Sequence, residues 1–81
     1  MKVAIYSLQD ILFEGEAEKL IVSTPAGQMT VLDQHIALIS SLTGPSLEVV
    51  DKKGEKNIIK LVSGFLEVRP ESEVVILANI R

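Results

Sequence analysis

Apolar residues in this chain fall into short runs that restart about every eight to twelve positions, and turn-forming residues separate them. Val and Ile dominate the runs, as in Val3 to Ile5, Leu20 to Val22, Leu47 to Val50, Ile58 to Val62, Phe65 to Val68 and Val74 to Ala78. β-Branched side chains fit a pleated surface and lose rotamer freedom in a helix, so the pattern predicts strands. Val3 and Ile5 alternate with polar or small neighbours. Ile11 to Phe13 start a second segment that Gly15 is expected to bend or bulge. Lys19 to Ser23 and Gln28 to Leu32 flank Thr24-Pro25-Ala26-Gly27, where Pro fixes φ and Gly closes a reversal. Asp51-Lys52-Lys53-Gly54 has the Asp and the Gly of a type I turn with a bulge, and Arg69-Pro70-Glu71-Ser72 supplies another turn. Val74 to Ala78 is apolar on both faces, which predicts cover on two sides, from the fold alone or from one layer and a partner.

Val31 to Leu42 is ambiguous. Leu32, Ile36 and Ile39 keep helical spacing and Asp33 could cap a helix start, whereas Ser40-Ser41 and the β-branched Ile36 and Ile39 favour extended chain. With strands on either side, extended structure is the expectation. The fold expected is a single all-β domain over 1–81, a small antiparallel β-sandwich or flattened barrel of about eight to ten short strands.

Composition limits the functions available. The 81 residues carry 47% hydrophobic side chains. A core this small leaves some of them outside, where a partner would cover them. No Cys is present, which removes disulfides, thiolate ligands and a thiol nucleophile. The net charge of -3 opposes the basic footprint needed for nucleic acid or anionic lipid, and the one positive cluster, Lys52, Lys53, Lys56 and Lys60, reads as a solvated hairpin. No apolar run reaches the roughly 18 residues of a membrane span and no signal peptide is visible, so a soluble chain is expected.

Catalysis needs a nucleophile or metal with a base held beside it. The chain has one His, and the Ser and Asp residues that could join His35 have no spacing that fixes them in place. Asp33 beside His35 is too little for a zinc site, so no metal and no cofactor is expected. The five glycines are isolated turn residues and cradle no phosphate. Tyr6, Phe13 and Phe65 are too few for a base-stacking platform, and the two Phe are assigned to the core. Glu14, Glu16, Glu18 and Lys19 mark an exposed strand edge whose charge discourages unwanted pairing.

The order Leu12-Phe13-Glu14-Gly15, Pro25-Ala26-Gly27, His35, Ile36 to Leu42, Gly64-Phe65-Leu66-Glu67-Val68 and Val74 to Ala78 resembles the epsilon subunit of the F-type rotary ATP synthase over almost the whole chain. Thr30, Asp33-Gln34 and Gly44-Pro45 depart from the family pattern, which usually has a Gly, a Pro-Gly pair and a Pro-Gly turn there. The resemblance implies a non-catalytic β-sandwich in the central stalk, one copy per complex, gripping the gamma subunit and the c-subunit ring. It also implies a peripheral place on the cytoplasmic face of a bacterial membrane. It directs Gln28 and Met29 toward the ring, and His35, Leu38, Ile39 and Leu42 toward gamma, with simple core as the other reading of the last three. Many family members continue into two regulatory helices. This sequence shows neither those helices nor their nucleotide motif, so no inhibitory arm and no nucleotide binding are expected. The competing reading is a free-standing β-sandwich that binds a small ligand or peptide.

Overall fold

The computed structural model describes residues 1–80, and every regular element in them is a strand. In chain order these are β1 (Lys2–Tyr6), β2 (Ile11–Glu16), β3 (Lys19–Thr24), β4 (Gly27–Leu32), β5 (Leu38–Val50), β6 (Lys56–Lys60), β7 (Ser63–Arg69) and β8 (Glu73–Asn79). The all-β expectation and the strand count hold.

Pairing follows the order β2-β1-β8-β7-β5-β3-β4, with β6 on β5. The sheet folds over at β5, whose 13 residues make it far longer than the short strands expected. Its first half pairs with β7 from Leu38↔Val68 to Thr43↔Ser63. Its second half lies between β3 and β6, with Glu48 opposite both Ile21 and Ile58. Between the halves the β3 register jumps from Ile21↔Glu48 to Ser23↔Thr43, so the chain around Gly44-Pro45 bows out and redirects the strand. One layer is therefore β2-β1-β8-β7 with the start of β5, and the other is β4-β3 with the end of β5 and β6.

Two details depart from the sequence expectation. The β1–β8 pair is parallel, so the sheet is mixed. The irregularity in β2 falls at Leu12, between the partners of Ile5 and Tyr6, while Gly15 pairs regularly with Val3.

Strand alternation builds the core. Val3, Ile5, Leu66, Val68, Val74, Ile76 and Ala78 from one layer meet Leu20, Val22, Val31, Leu47 and Val49 from the other. Each fully buried Val, Leu or Ile contributes about 1.5–3 kcal/mol of transfer free energy. Gly64 sits too near the β8 backbone to carry a side chain, because a Cβ there would stand 2.6 Å from the Leu77 carbonyl oxygen. Turn chemistry matches the sequence. The Gly54 N–H donates to the Asp51 carbonyl at 3.0 Å, Asp51 Oδ1 accepts the Lys53 and Glu55 N–H groups at 2.9 Å, and Gly54 takes a φ of 85°.

All turns gather at two ends. One end holds Met1, the loop 33–37, the Asp51–Gly54 turn and the turn at Pro70. The other holds the Ser7–Asp10 turn, the Thr24–Gly27 turn, the Gly44-Pro45 bend and Asn79-Ile80.

Candidate partner-binding surface

The six residues singled out from the sequence do not form one patch. Gln28 is exposed on the outer side of β4, beside the Thr24–Gly27 turn that the Thr24 hydroxyl ties by donating to the Gly27 carbonyl at 2.8 Å. Met29 points the other way and packs against the core. His35 is half-buried in the loop before β5, with Nδ1 2.8 Å from the Ile36 carbonyl oxygen. Strand parity then divides the remaining three. Ile39 faces outward and is 76% exposed, Leu38 packs against the core, and Leu42 is a core residue at 3% exposure. As a surface residue Leu42 is thus corrected: it shares the inward parity of Leu38 and sits opposite Gly64.

The larger apolar surface lies where the sequence reading placed core. Phe65 is 62% exposed, although Phe13 does pack against the interior as expected. Register explains the difference. Ser41, Phe65, Leu77, Tyr6 and Ile11 stand in one row across β5, β7, β8, β1 and β2, all on the outer side. The neighbouring row on the same side reads Ile39, Glu67, Val75, Ala4 and Glu14. Leu77, Ile11 and Ile39 are exposed there with Phe65. β8 thus buries Val74, Ile76 and Ala78 and leaves Leu77 open, which makes its two-faced apolar pattern a matter of one layer and an uncovered side. The sequence signal that could have located this row was that double-faced run, read together with the alternation of β7.

Where the row meets the Ser7–Asp10 turn, the surface dips into an open groove of about 490 Å³ lined by Leu8, Gln9, Phe65, Leu77 and Ile80. Polar groups rim the apolar rows. Arg69 pairs with Glu67 at 3.1 Å, an exposed contact of small energetic weight. The basic residues Lys52, Lys53, Lys56 and Lys60 are exposed at and beyond the Asp51–Gly54 turn, away from this face.

At the loop end, the Met1 ammonium donates to the Ala17 carbonyl at 3.0 Å and lies 3.6 Å from Glu16 and 3.8 Å from Asp33. The Asp33 carboxyl is held below its ordinary value chiefly by hydrogen bonding from the adjacent Ser72 hydroxyl. Among the described residues no group of three or more His, Asp or Glu side chains could hold a metal, and no carboxylate or hydroxyl orients the His35 ring. What the surface does offer is shape and exposed apolar area.

Residues 1–80 match the family model described as ATP synthase, Delta/Epsilon chain, beta-sandwich domain. The chain is 40% identical to the ATP synthase epsilon chain of Clostridium novyi over 96% of its length and 59% of that protein's. It is 35% identical to that of Shouchella clausii over 98% and 58%. The chain therefore spans a little under three-fifths of the length of these relatives. Among solved structures, a chain of the Euglena gracilis mitochondrial ATP synthase superposes with a TM-score of 0.87 at 23% identity, over 94% of this chain and 48% of that one. A chain of the Tetrahymena thermophila enzyme's central stalk and c ring gives 0.79 at 14%, over 98% and 63%. The likeness confirms the β-sandwich fold, and with the family match it shows that this chain belongs to the ATP synthase delta/epsilon family, as its β-sandwich domain.

Proposed function

We propose that the chain is a non-catalytic rotor subunit of an F-type ATP synthase, held between the gamma subunit and the c ring at the cytoplasmic face of a bacterial membrane. In this role it couples proton or sodium translocation to ATP synthesis by passing on torque. The observation that carries the reading is the exposed row Ile11, Leu77 and Phe65, flanked by Ile39, on the outer side of one layer. Isolated exposed apolar residues need no explanation, but aligned ones spanning several strands mark a surface that a partner covers. Gamma is assigned to this row and to the loop with His35 and Ile36. The ring is assigned to the Thr24–Gly27 end with Gln28, on a different element and face, so both partners could bind at once.

Association at such a surface buries on the order of 1,600 Å² in a stable complex, with a few aromatic and aliphatic anchors at its centre. The test is to recover the tagged chain from gently solubilised membranes of its source, with native mass spectrometry for stoichiometry. Gamma and ring subunits retained with one copy of the chain support the reading, and an unbound monomer beside an intact stalk overturns it.

A further inference from the structure

The loop 33–37 carries exposed Ile36 and half-buried His35 between the last pair of β4 and the first pair of β5. Its internal support is thin. The His35 N–H reaches the Leu32 carbonyl at 3.1 Å, a local turn contact. Among the described residues, one hydrogen bond reaches residues 34–37 from elsewhere in the chain: the Gln34 N–H donates to the Ser72 hydroxyl oxygen at 3.2 Å, across 38 positions. Ser72 is itself fixed, because its carbonyl accepts the Lys2 N–H at 2.9 Å and Arg69↔Glu73 closes its turn.

Backbone conformation singles out the same contact. The described non-glycine residues with positive φ are Gln34 at 62°, Glu71 at 65° and Ser72 at 58°. All three lie at the two sides of this one bond. Left-handed backbone is disfavoured for residues with a Cβ and persists where surrounding structure over-determines it. Here each strained turn is held against the other.

We infer that Ser72 is a positioning residue for partner docking: by holding Gln34 from the β7–β8 turn, it presents Ile36 and His35 to the gamma subunit in one conformation. The inference rests on the gamma assignment made above. Its physical content is pre-organisation, since a loop already ordered loses less conformational entropy on binding. Ser72 itself lies beside the docking loop and is assigned no contact with the partner.

Three variants of the full chain separate the hydroxyl from the backbone angle. Ser72→Gly accepts the φ of 58° without strain but deletes the acceptor for Gln34 and the donor to Asp33, so any fall in melting temperature at neutral pH should be small and reflect those two exposed hydrogen bonds alone. Ser72→Ala deletes the acceptor and keeps the strain. Ser72→Asn keeps an acceptor on a residue that tolerates left-handed backbone. Amide exchange at residues 34–37 should quicken in the Gly and Ala variants, with affinity for gamma reduced about tenfold, and both should return toward the parent in Ser72→Asn. Parent-like exchange and parent-like affinity in Ser72→Gly overturn the inference. If the unmutated chain fails to bind gamma, the rotor reading falls instead. Exchange measured without any partner still decides whether Ser72 holds the loop, and unchanged rates there overturn that holding role.

Discussion

Phe65 on β7 stands directly opposite Leu77 on β8, and both side chains face away from the core. Such a cross-strand apolar pair contributes about 0.2–1 kcal/mol to the sheet, so its replacement is a small matter for folding. Phe65→Ser with Leu77→Ser should lower affinity for gamma by at least about tenfold while unfolding shifts little, since surface changes away from caps and networks stay near ±0.5 kcal/mol each. Calorimetric titration and thermal melting of the same samples check both halves. A large loss of stability with unchanged affinity would assign the pair to folding.

Leu42 and Ile39 share a strand and differ in parity, so alanine should tell them apart. Leu42→Ala opens a cavity between the layers and should cost about 2–5 kcal/mol. Ile39→Ala should cost about 0.5 kcal/mol or less. Urea denaturation of the two variants is sufficient, and equal costs would contradict the placement.

Gly64 admits no side chain. The Cβ of Gly64→Ala would meet the Leu77 carbonyl oxygen, a backbone atom that cannot swing aside, so β7 and β8 must separate. Overpacking of this kind costs about 1–3 kcal/mol, and occasionally more. Gly54→Ala, by contrast, has open space around it and suffers only from the positive φ, so the measured loss should be smaller.

Acid should weaken the loop end. Asp33 has its folded pKa depressed by the Ser72 hydroxyl, with the Met1 ammonium, the Gln34 N–H and Lys52 acting in the same direction and partial burial opposing them. The unfolded chain therefore takes up this proton at a higher pH than the folded one. The stabilisation is complete above the ordinary value of 3.8 and fades as pH falls below it through the folded pKa. Asp33→Asn should remove that part of the acid dependence and leave the neutral-pH region of the curve with the same slope. Melting temperatures across the acid range supply the check.

Strand identity was legible because period-two alternation and turn residues report local conformation directly. Val3 and Ile5, the Asp51–Gly54 turn and the Pro70 turn all stand where their spacing implies. The charges at Glu14 and Glu16 do mark an edge strand, whereas Lys19, expected with them at an exposed edge, lies on β3 between β5 and β4, and Glu18 lies between the two strands. What the spacing could not say is which strands lie side by side. The exposed row through Phe65 exists only once β5, β7, β8, β1 and β2 are in register, and a parallel β1–β8 pair leaves no local signature. Leu42 shows the same limit from the other side. Its apolar character suited either face, and only its register opposite Gly64 assigns it inward. The positive φ of Gln34 was likewise hidden, because neither that residue nor its neighbours needs such an angle until Ser72 arrives from a distant turn.

β5 belongs to both layers, so the molecule has a continuous covalent beam running from the Phe65 side to the β3–β6 side. A shearing load applied to one layer does not depend on side-chain packing alone to reach the other, because peptide bonds span the gap at Gly44-Pro45. Layers joined this way resist sliding past each other even when the packing between them is loosened, and the domain should behave under sideways force as a stiff wedge that deforms at its turns before its layers part.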